Sequence, residues 1–313
     1  MNNLKKIGLT ALAGSLAVTS AFAGELTATG SASMGVANIT GTADDGLGKN
    51  FTMANSVYLT GGGELDNGMT VAVSFEMDQG AANNSAEGFD NHYVEIGSDA
   101  LGTLRLSGHG GSSAQSAMDT TAAGDLWNNT LAITGPAAAA SGDNSLFYTA
   151  PALVDGVAIT ASLAPGAAAT TDTHMSYGVS YSGVEGLTLN YGIGDSGTQT
   201  AEAEHTTISG SYAYGPLTVS LSQTEIDNAG STADIEWDSY QVAYTVSENM
   251  SVTYGVETKD TGGQTTDEEV TGFGVSYTTG GMTISASQIN AEGAGNVAAA
   301  DTDRWSLTAA FAF

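Results

Sequence analysis

The sequence predicts an all-β protein, a transmembrane antiparallel β-barrel of about 16 strands. Many segments alternate apolar residues with small polar ones, which is the two-residue period of a β-strand. Short turns and longer acidic segments alternate between these strands, and the last segment shows the same period up to a C-terminal Phe313. Together these observations favour a closed barrel over a soluble sheet protein.

The N-terminus has the parts of a secretory signal peptide. Lys5 and Lys6 are followed by an apolar run at residues 7–18, and Ala21-Phe22-Ala23 supplies a small-residue cleavage site. We predict that residues 1–23 are removed and that residues 24–313 form one outer-membrane barrel domain. The alternative is a retained membrane anchor, for which the apolar run is short, since a helical span needs about 20 apolar residues.

The composition excludes several classes of function. The 313 residues include 34 Asp and Glu but six Lys and Arg, which gives a formal net charge of −28. Such a charge repels nucleic acid, so we expect no nucleic-acid partner. Because the exported chain has no cysteine, it has neither a disulfide framework nor thiolate metal sites.

The alternating segments have one apolar face and one face of small polar residues. Leu217, Val219 and Leu221 alternate with Thr218, Ser220 and Ser222, and the pattern recurs at 71–77, 157–163, 187–193, 252–256 and 273–277. A soluble sandwich would carry many Lys, Glu and Arg side chains on its polar face. Ser, Thr, Gly and Asn instead suit a wall around a confined aqueous lumen, with the apolar face toward lipid.

The connections predict the number of strands. Seven short turns lie at 64–68, 98–102, 151–156, 183–186, 214–216, 247–249 and 279–281. Eight longer segments lie at 38–52, 79–89, 108–143, 165–173, 195–204, 226–236, 260–269 and 291–301. Short periplasmic turns and longer external loops are the rule in transmembrane barrels, and about 16 strands enclose an aqueous channel.

The last segment is predicted to close the barrel. Trp305, Phe311 and Phe313 share one parity, while Arg304 and Ser306 share the other. Because lipid offers no hydrogen-bond partners, every strand edge must be paired, so this strand should pair with the first strand near residues 25–37.

Several motifs occur in an order typical of one family. They are the turn GELDNG at 63–68, YVEIG at 93–97, LGTLRL at 101–106, NSLFY at 144–148 with Pro151 after it, and the terminal Phe313. With these motifs, essentially the whole chain resembles the Gram-negative general porins, most of all the type found in alpha-proteobacteria. The resemblance implies a barrel in outer-membrane lipid, usually a homotrimer, through which small hydrophilic solutes diffuse passively. It also implies that Phe313, with Phe311, is an assembly signal read by the barrel insertion machinery.

The segment 108–143 is the predicted third loop, and the resemblance implies that it folds into the lumen as the constriction. Its main acids are Asp119 and Asp125. A structureless loop of this length is uncommon in a compact domain, so it calls for a role. The alternative is an exposed external loop with solvated carboxylates.

Strand parity places several charged residues on the lumen side. They are Arg105, Arg304, Glu76, Asp78, Glu95 and Glu257. General porins set a basic cluster against acidic loop residues, and this sequence departs from that pattern because it has few basic residues. We therefore predict a net negative lumen and a channel that prefers cations.

Catalytic and metal-binding functions are not supported. The four histidines are scattered without metal-ligand spacing, so we expect neither an enzyme nor a resident cofactor. The acidic loops at 227–238 and 267–269 could hold Ca²⁺ through carboxylates, although neither has the spacing of an EF-hand.

The sequence leaves three functions open. We favour a non-specific diffusion channel. A solute-selective channel should show an aromatic track or a concentrated polar cluster along the lumen, and a non-conducting structural or adhesive barrel should devote its length to a passenger or repeat domain.

Overall fold

The protein is a closed antiparallel barrel of 16 strands in which each strand pairs with its neighbours in the chain. The computed structural model describes residues 26–41, 48–78, 89–124, 126–127, 131–166, 172–198, 201–230 and 232–313. The predicted signal peptide and Asp125 lie outside these residues. The strand count, the antiparallel order and the closure confirm the fold expected from the alternating pattern.

The strands are numbered in chain order. The first eight are β1 Thr27–Gly41, β2 Gly48–Glu64, β3 Thr70–Asp78, β4 His92–Ser98, β5 Gly102–His109, β6 Ser145–Thr149, β7 Val157–Ala164 and β8 His174–Val184. The others are β9 Leu187–Thr198, β10 Ala201–Tyr214, β11 Leu217–Asn228, β12 Ile235–Ser247, β13 Met250–Thr261, β14 Glu268–Thr279, β15 Met282–Glu292 and β16 Thr302–Ala312. Short 3-10 helices at Ser116–Met118 and Ala294–Asn296 interrupt two of the loops.

The two ends of the chain close the barrel. β16 pairs with β1 from Ser31 opposite Ala312 to Gly41 opposite Thr302, as predicted. Beyond this register, the backbone N–H of Phe313 donates to the Gly30 carbonyl at 3.0 Å, and the Gly30 N–H donates back at 2.7 Å. The last residue therefore takes part in the ladder that joins β16 to β1 and closes the barrel.

Strand parity separates an outer from an inner face around the wall. On β16, Trp305 and Leu307 are exposed apolar side chains on the outside. Ser306 points inward, where its hydroxyl bonds to the Ser287 hydroxyl of β15. The same division holds on β11, where Leu221 is exposed and Ser222 is buried. The apolar face therefore suits lipid and the small polar face lines the interior.

The strands continue into segments that the sequence predicted to be loops. The predicted loop at 195–204 is a hairpin in which β9 runs to Thr198 and β10 begins at Ala201. The predicted loop at 226–236 is likewise shortened by β11 and β12. Those predictions were wrong because residues such as Glu202 and Glu204 break the apolar alternation without breaking the backbone ladder.

Among the described residues, no helix has the length and apolar character needed to cross a membrane.

Candidate functional site

The third loop lies between β5 and β6, and its described residues, 110–124, 126–127 and 131–144, lie inside the barrel. Four inward-facing serines of the wall accept hydrogen bonds from its backbone N–H groups. The donor and acceptor pairs are Ala114 to Ser162 at 2.9 Å, Gln115 to Ser176 at 2.6 Å, Ala122 to Ser222 at 2.9 Å and Ala123 to Ser239 at 2.6 Å. Because buried N–H groups need partners, these serines fix the loop against the wall.

Gln115 joins the two legs of the third loop to the wall. Its side chain is fully buried. Its amide Nε2 donates to the Thr207 hydroxyl at 2.6 Å, and its Oε1 accepts from the Ala139 N–H on the returning leg at 2.9 Å. One side chain therefore holds both legs at a fixed distance from β10.

Glycines on the inner wall allow the third loop to approach closely. A Cβ atom on Gly192 of β9 would lie 2.8 Å from the Cα of Gln115. A Cβ atom on Gly272 of β14 would lie 2.5 Å from Cδ2 of Leu126. Since real Cβ contacts are longer, a larger residue at Gly192 would push the loop backbone away from the wall, and one at Gly272 would displace the Leu126 side chain.

The outer end of the third loop packs into an apolar cluster inside the barrel. Trp127, Leu131 and Ile133 of the loop are buried against inward-facing wall residues. The wall members are Ile226, Trp237, Val270, Ile289 and Ala291, with Ala294 from the last loop. This cluster was not predicted from the sequence, although apolar residues at inward parity near the ends of β11, β12, β14 and β15 were its signal.

Glu257 on β13 lies beneath the third loop. Its side chain is completely buried. Its Oε2 accepts from the Leu126 N–H at 2.9 Å, and its Oε1 accepts from the Ser239 hydroxyl at 3.2 Å. This predicted lumen residue therefore binds the loop and does not border the open passage.

Two further lumen-side residues were missed in the sequence. Lys259 is two positions after Glu257 and shares its inward parity, and its Nζ lies 2.6 Å from Oε2 of Glu268 on β14. The other oxygen of Glu268 accepts from the Gly295 N–H at 2.8 Å. The only signal for this pair was parity, and the partner required the register between β13 and β14.

The remaining predicted wall charges lie on β3, β4, β5 and β16. Glu76 is buried and accepts hydrogen bonds from the Tyr58 hydroxyl and, at 2.6 Å, from Nδ2 of Asn91. Oxygens of Glu76, Asp78 and Asp90 lie within 4.8 Å of one another.

The predicted Ca²⁺ sites in the acidic loops at 227–238 and 267–269 stay a prediction.

Arg105 and Glu95 face each other across β5 and β4. Nη2 of Arg105 lies 2.9 Å from Oε2 of Glu95, and Nε donates to the same oxygen at 3.0 Å. The guanidinium carbon lies 4.1 Å from the centre of the Tyr93 ring, within the range of a cation–π contact. Parity predicted the side of both charges but not that they form an ion pair.

The other predicted site residues are placed separately. Asp119 is exposed, ends the 3-10 helix of the third loop and has a φ of 62°. Arg304 is partly buried at an inward position between Ile39 of β1 and Ile289 of β15. Phe313 lies over Gly30, where a Cβ atom would come within 2.6 Å of its ring. The assembly role of Phe311 and Phe313 stays a prediction.

The closed barrel with an internal third loop can be compared with known proteins. A family profile described as Gram-negative porin matches residues 8–249. The chain belongs to the Gram-negative porin family. Family membership and fold together make this porin a transmembrane channel of the outer membrane and not an enzyme. The comparison with curated proteins gave no match.

Solved porin structures share the fold of this porin at low sequence identity. An anion-selective porin from Comamonas acidovorans has a TM-score of 0.70 and 15% identity, over 92% of this chain and 99% of that chain. OmpF of Salmonella typhi in complex with daunomycin has a TM-score of 0.69 and 11% identity, over 93% and 98%. The trimer form of OmpT, an outer membrane protein of Vibrio cholerae, has a TM-score of 0.67 and 11% identity, over 93% and 100%.

Proposed function

We propose that this porin forms a water-filled channel for passive diffusion of ions and small hydrophilic solutes, and that it prefers cations. The observation that carries the proposal is the balance of charge inside the wall. Among described inward-facing strand positions, the carboxylates are Glu64, Glu76, Asp78, Glu95, Glu257 and Glu268, and the bases are Arg105, Lys259 and Arg304. Two of these bases are ion-paired.

These ion pairs neutralise two of the three bases but only two of the six carboxylates. Arg105 and Lys259 are each neutralised by a neighbouring carboxylate, so Arg304 is the main basic group left on the described wall. Asp119 adds an exposed carboxylate from the third loop. Fixed charges act over about 8 Å at physiological salt, so this excess of carboxylates attracts cations into the passage.

The reversal potential of the reconstituted porin under a KCl gradient tests the cation preference. We expect the sign that indicates K⁺ permeation, and a smaller magnitude for Asp119→Asn. Asn suits this position because it tolerates a positive φ. Asp303→Asn, which removes an outward-facing carboxylate on β16, is the control and should leave the potential unchanged. Anion permeation would contradict the preference, and a bilayer without current would favour the non-conducting barrel.

We also propose a homotrimer that buries the outer face of β1–β5. Exposed apolar residues on that face include Met34, Phe51, Met53, Val94, Ile96, Leu104 and Leu106. Exposed tyrosines lie on later strands, at 148, 177, 181, 191, 212, 214, 240, 244, 254 and 277. Tyrosine marks the boundaries of a lipid-facing surface, so a described face without outward tyrosine suits contact with another copy. Electrophoresis of unboiled protein after cross-linking should give a trimer band.

We also propose that the protein is exported and inserted into the outer membrane. Residues 1–23 would direct the chain across the inner membrane, and the terminal Phe311 and Phe313 would be read by the barrel insertion machinery. Within the family, the order of the motifs from 63–68 to Phe313 supports the alpha-proteobacterial type. N-terminal sequencing of the outer-membrane protein should begin at Gly24, and a start at Met1 would contradict cleavage.

A further inference from the structure

A cavity of about 330 Å³ opens beside the third loop, along β4, β5 and β6. Its wall includes the Arg105–Glu95 pair, with Tyr93 on one side and Phe147 on the other. Phe147 is the direct neighbour of Arg105 in the β5–β6 register and shares its inward parity. Ala117 of the third loop lines the cavity as well. The site therefore combines two opposite charges with two aromatic rings.

The ion pair leaves hydrogen-bonding capacity on both partners. Nε and Nη2 of Arg105 are both directed at one oxygen, Oε2 of Glu95. Among the described residues, Oε1 of Glu95 and the other N–H groups of Arg105 have no hydrogen-bond partner. The side chains are 41% and 26% exposed, so a solute in the lumen can reach them. The cation–π contact with Tyr93 keeps the guanidinium in place.

These free groups select the charge pattern of a ligand. The guanidinium edge suits a carboxylate, and the free carboxylate oxygen suits an ammonium group. A simple anion is disfavoured by the excess of carboxylates in the lumen, and a simple cation would meet the guanidinium of Arg105. A solute that carries an ammonium and a carboxylate on the same carbon atom is neutral overall and can satisfy both groups. The rings of Tyr93 and Phe147 suit an apolar side chain.

We propose that this cavity is a subsite that binds small zwitterionic solutes, with α-amino acids as the chemical class, during their passage through the channel. The inference rests on the proposed diffusion function and adds a preference within it. Binding occurs at a partly exposed pair, so it is weak and the solute can leave on either side.

Four solutes of matched size separate this proposal from general diffusion. They are alanine, alaninamide, lactate and lactamide, which are zwitterionic, cationic, anionic and neutral. Influx of each labelled solute into proteoliposomes is measured over a range of concentrations. We expect alanine to half-saturate influx at a concentration about fivefold lower than that of any of the others. Equal behaviour of alanine and lactamide, or tighter binding of alaninamide than alanine, would overturn the proposal.

A double variant tests the residues themselves. Glu95→Gln with Arg105→Gln removes both charges without changing the net charge of the lumen, and should abolish the fivefold advantage of alanine. Asp303→Asn is the matched control and should retain it. If the double variant does not fold, the comparison of the four solutes on the unchanged protein still tests whether the subsite binds zwitterions. Ion current without an alanine advantage refutes only the subsite, whereas the absence of ion current refutes the proposed function.

Discussion

The serines that hold the third loop give the sharpest test of how the lumen is constricted. We consider the triple variant Ser162→Ala, Ser176→Ala and Ser222→Ala. In each case a buried hydroxyl that accepts from a loop N–H at 2.6 to 2.9 Å is lost. A hydrogen bond of this kind contributes about 1 kcal/mol, so the triple variant should weaken docking of the loop by about 3 kcal/mol. That corresponds to a roughly 100-fold larger undocked population.

Single-channel recording reads this population directly. An undocked loop should produce larger current fluctuations around the open level, because the width of the passage changes as the loop leaves the wall. The matched control is Ser211→Ala, Ser220→Ala and Ser285→Ala, inward serines that make no hydrogen bond to the described part of the loop. Electrophoresis without boiling checks that both barrels are folded. If the two triple variants give equal fluctuations, the serines do not hold the loop.

Two further changes act on the same contact by other means. Gly192→Ala places a Cβ atom 2.8 Å from the Cα of Gln115 and should displace the loop, because overpacking costs about 1–3 kcal/mol. Its control is Gly61→Ala, whose Cβ atom would meet its nearest atom at 3.6 Å and which should behave as wild type in the same recordings. Ile133→Ala leaves a cavity in the buried cluster and should weaken docking of the loop by about 2–5 kcal/mol. We expect larger current fluctuations than in the control Val297→Ala, which truncates an exposed side chain. Equal fluctuations would mean that the cluster does not anchor the loop.

The barrel could be predicted from the sequence because, in a membrane strand, the alternating pattern of the strand itself shows which residues face lipid and which face the lumen. Each inward or outward position depends only on parity, so the sides of Arg105, Glu95 and Glu257 followed without any knowledge of neighbours. The ion pairs between neighbouring strands cannot be predicted from parity. That Arg105 bonds Glu95, and Lys259 bonds Glu268, depends on the register between strands, which the turns fix and which alternation alone does not reveal.

The path of the third loop was hidden for a related reason. Ser222 and Gly192 are small residues of the same type as those expected anywhere on a hydrated wall, so nothing in the sequence distinguished a serine that meets water from one that meets the loop. Trp237 and Val270 were better signals, because a large apolar residue at inward parity has no reason to face a water-filled lumen.

The docking of the third loop divides the interior into two walls with different chemistry. A backbone that approaches β7–β14 closely needs small polar partners and empty space, which Ser176 and Gly192 supply, and large charged residues would block it. Within the described part of β7–β14, the inward Asp, Glu, Lys and Arg residues are accordingly Glu257, which binds the loop, and the Lys259–Glu268 pair. Because Glu257 is buried beneath the loop, the charges outside the two ion pairs that can border the passage lie on β2, on β3, on β16 and on the loop itself. It follows that substitutions that change ion selectivity should cluster on that side, while substitutions on the opposite wall should change the steadiness of the current.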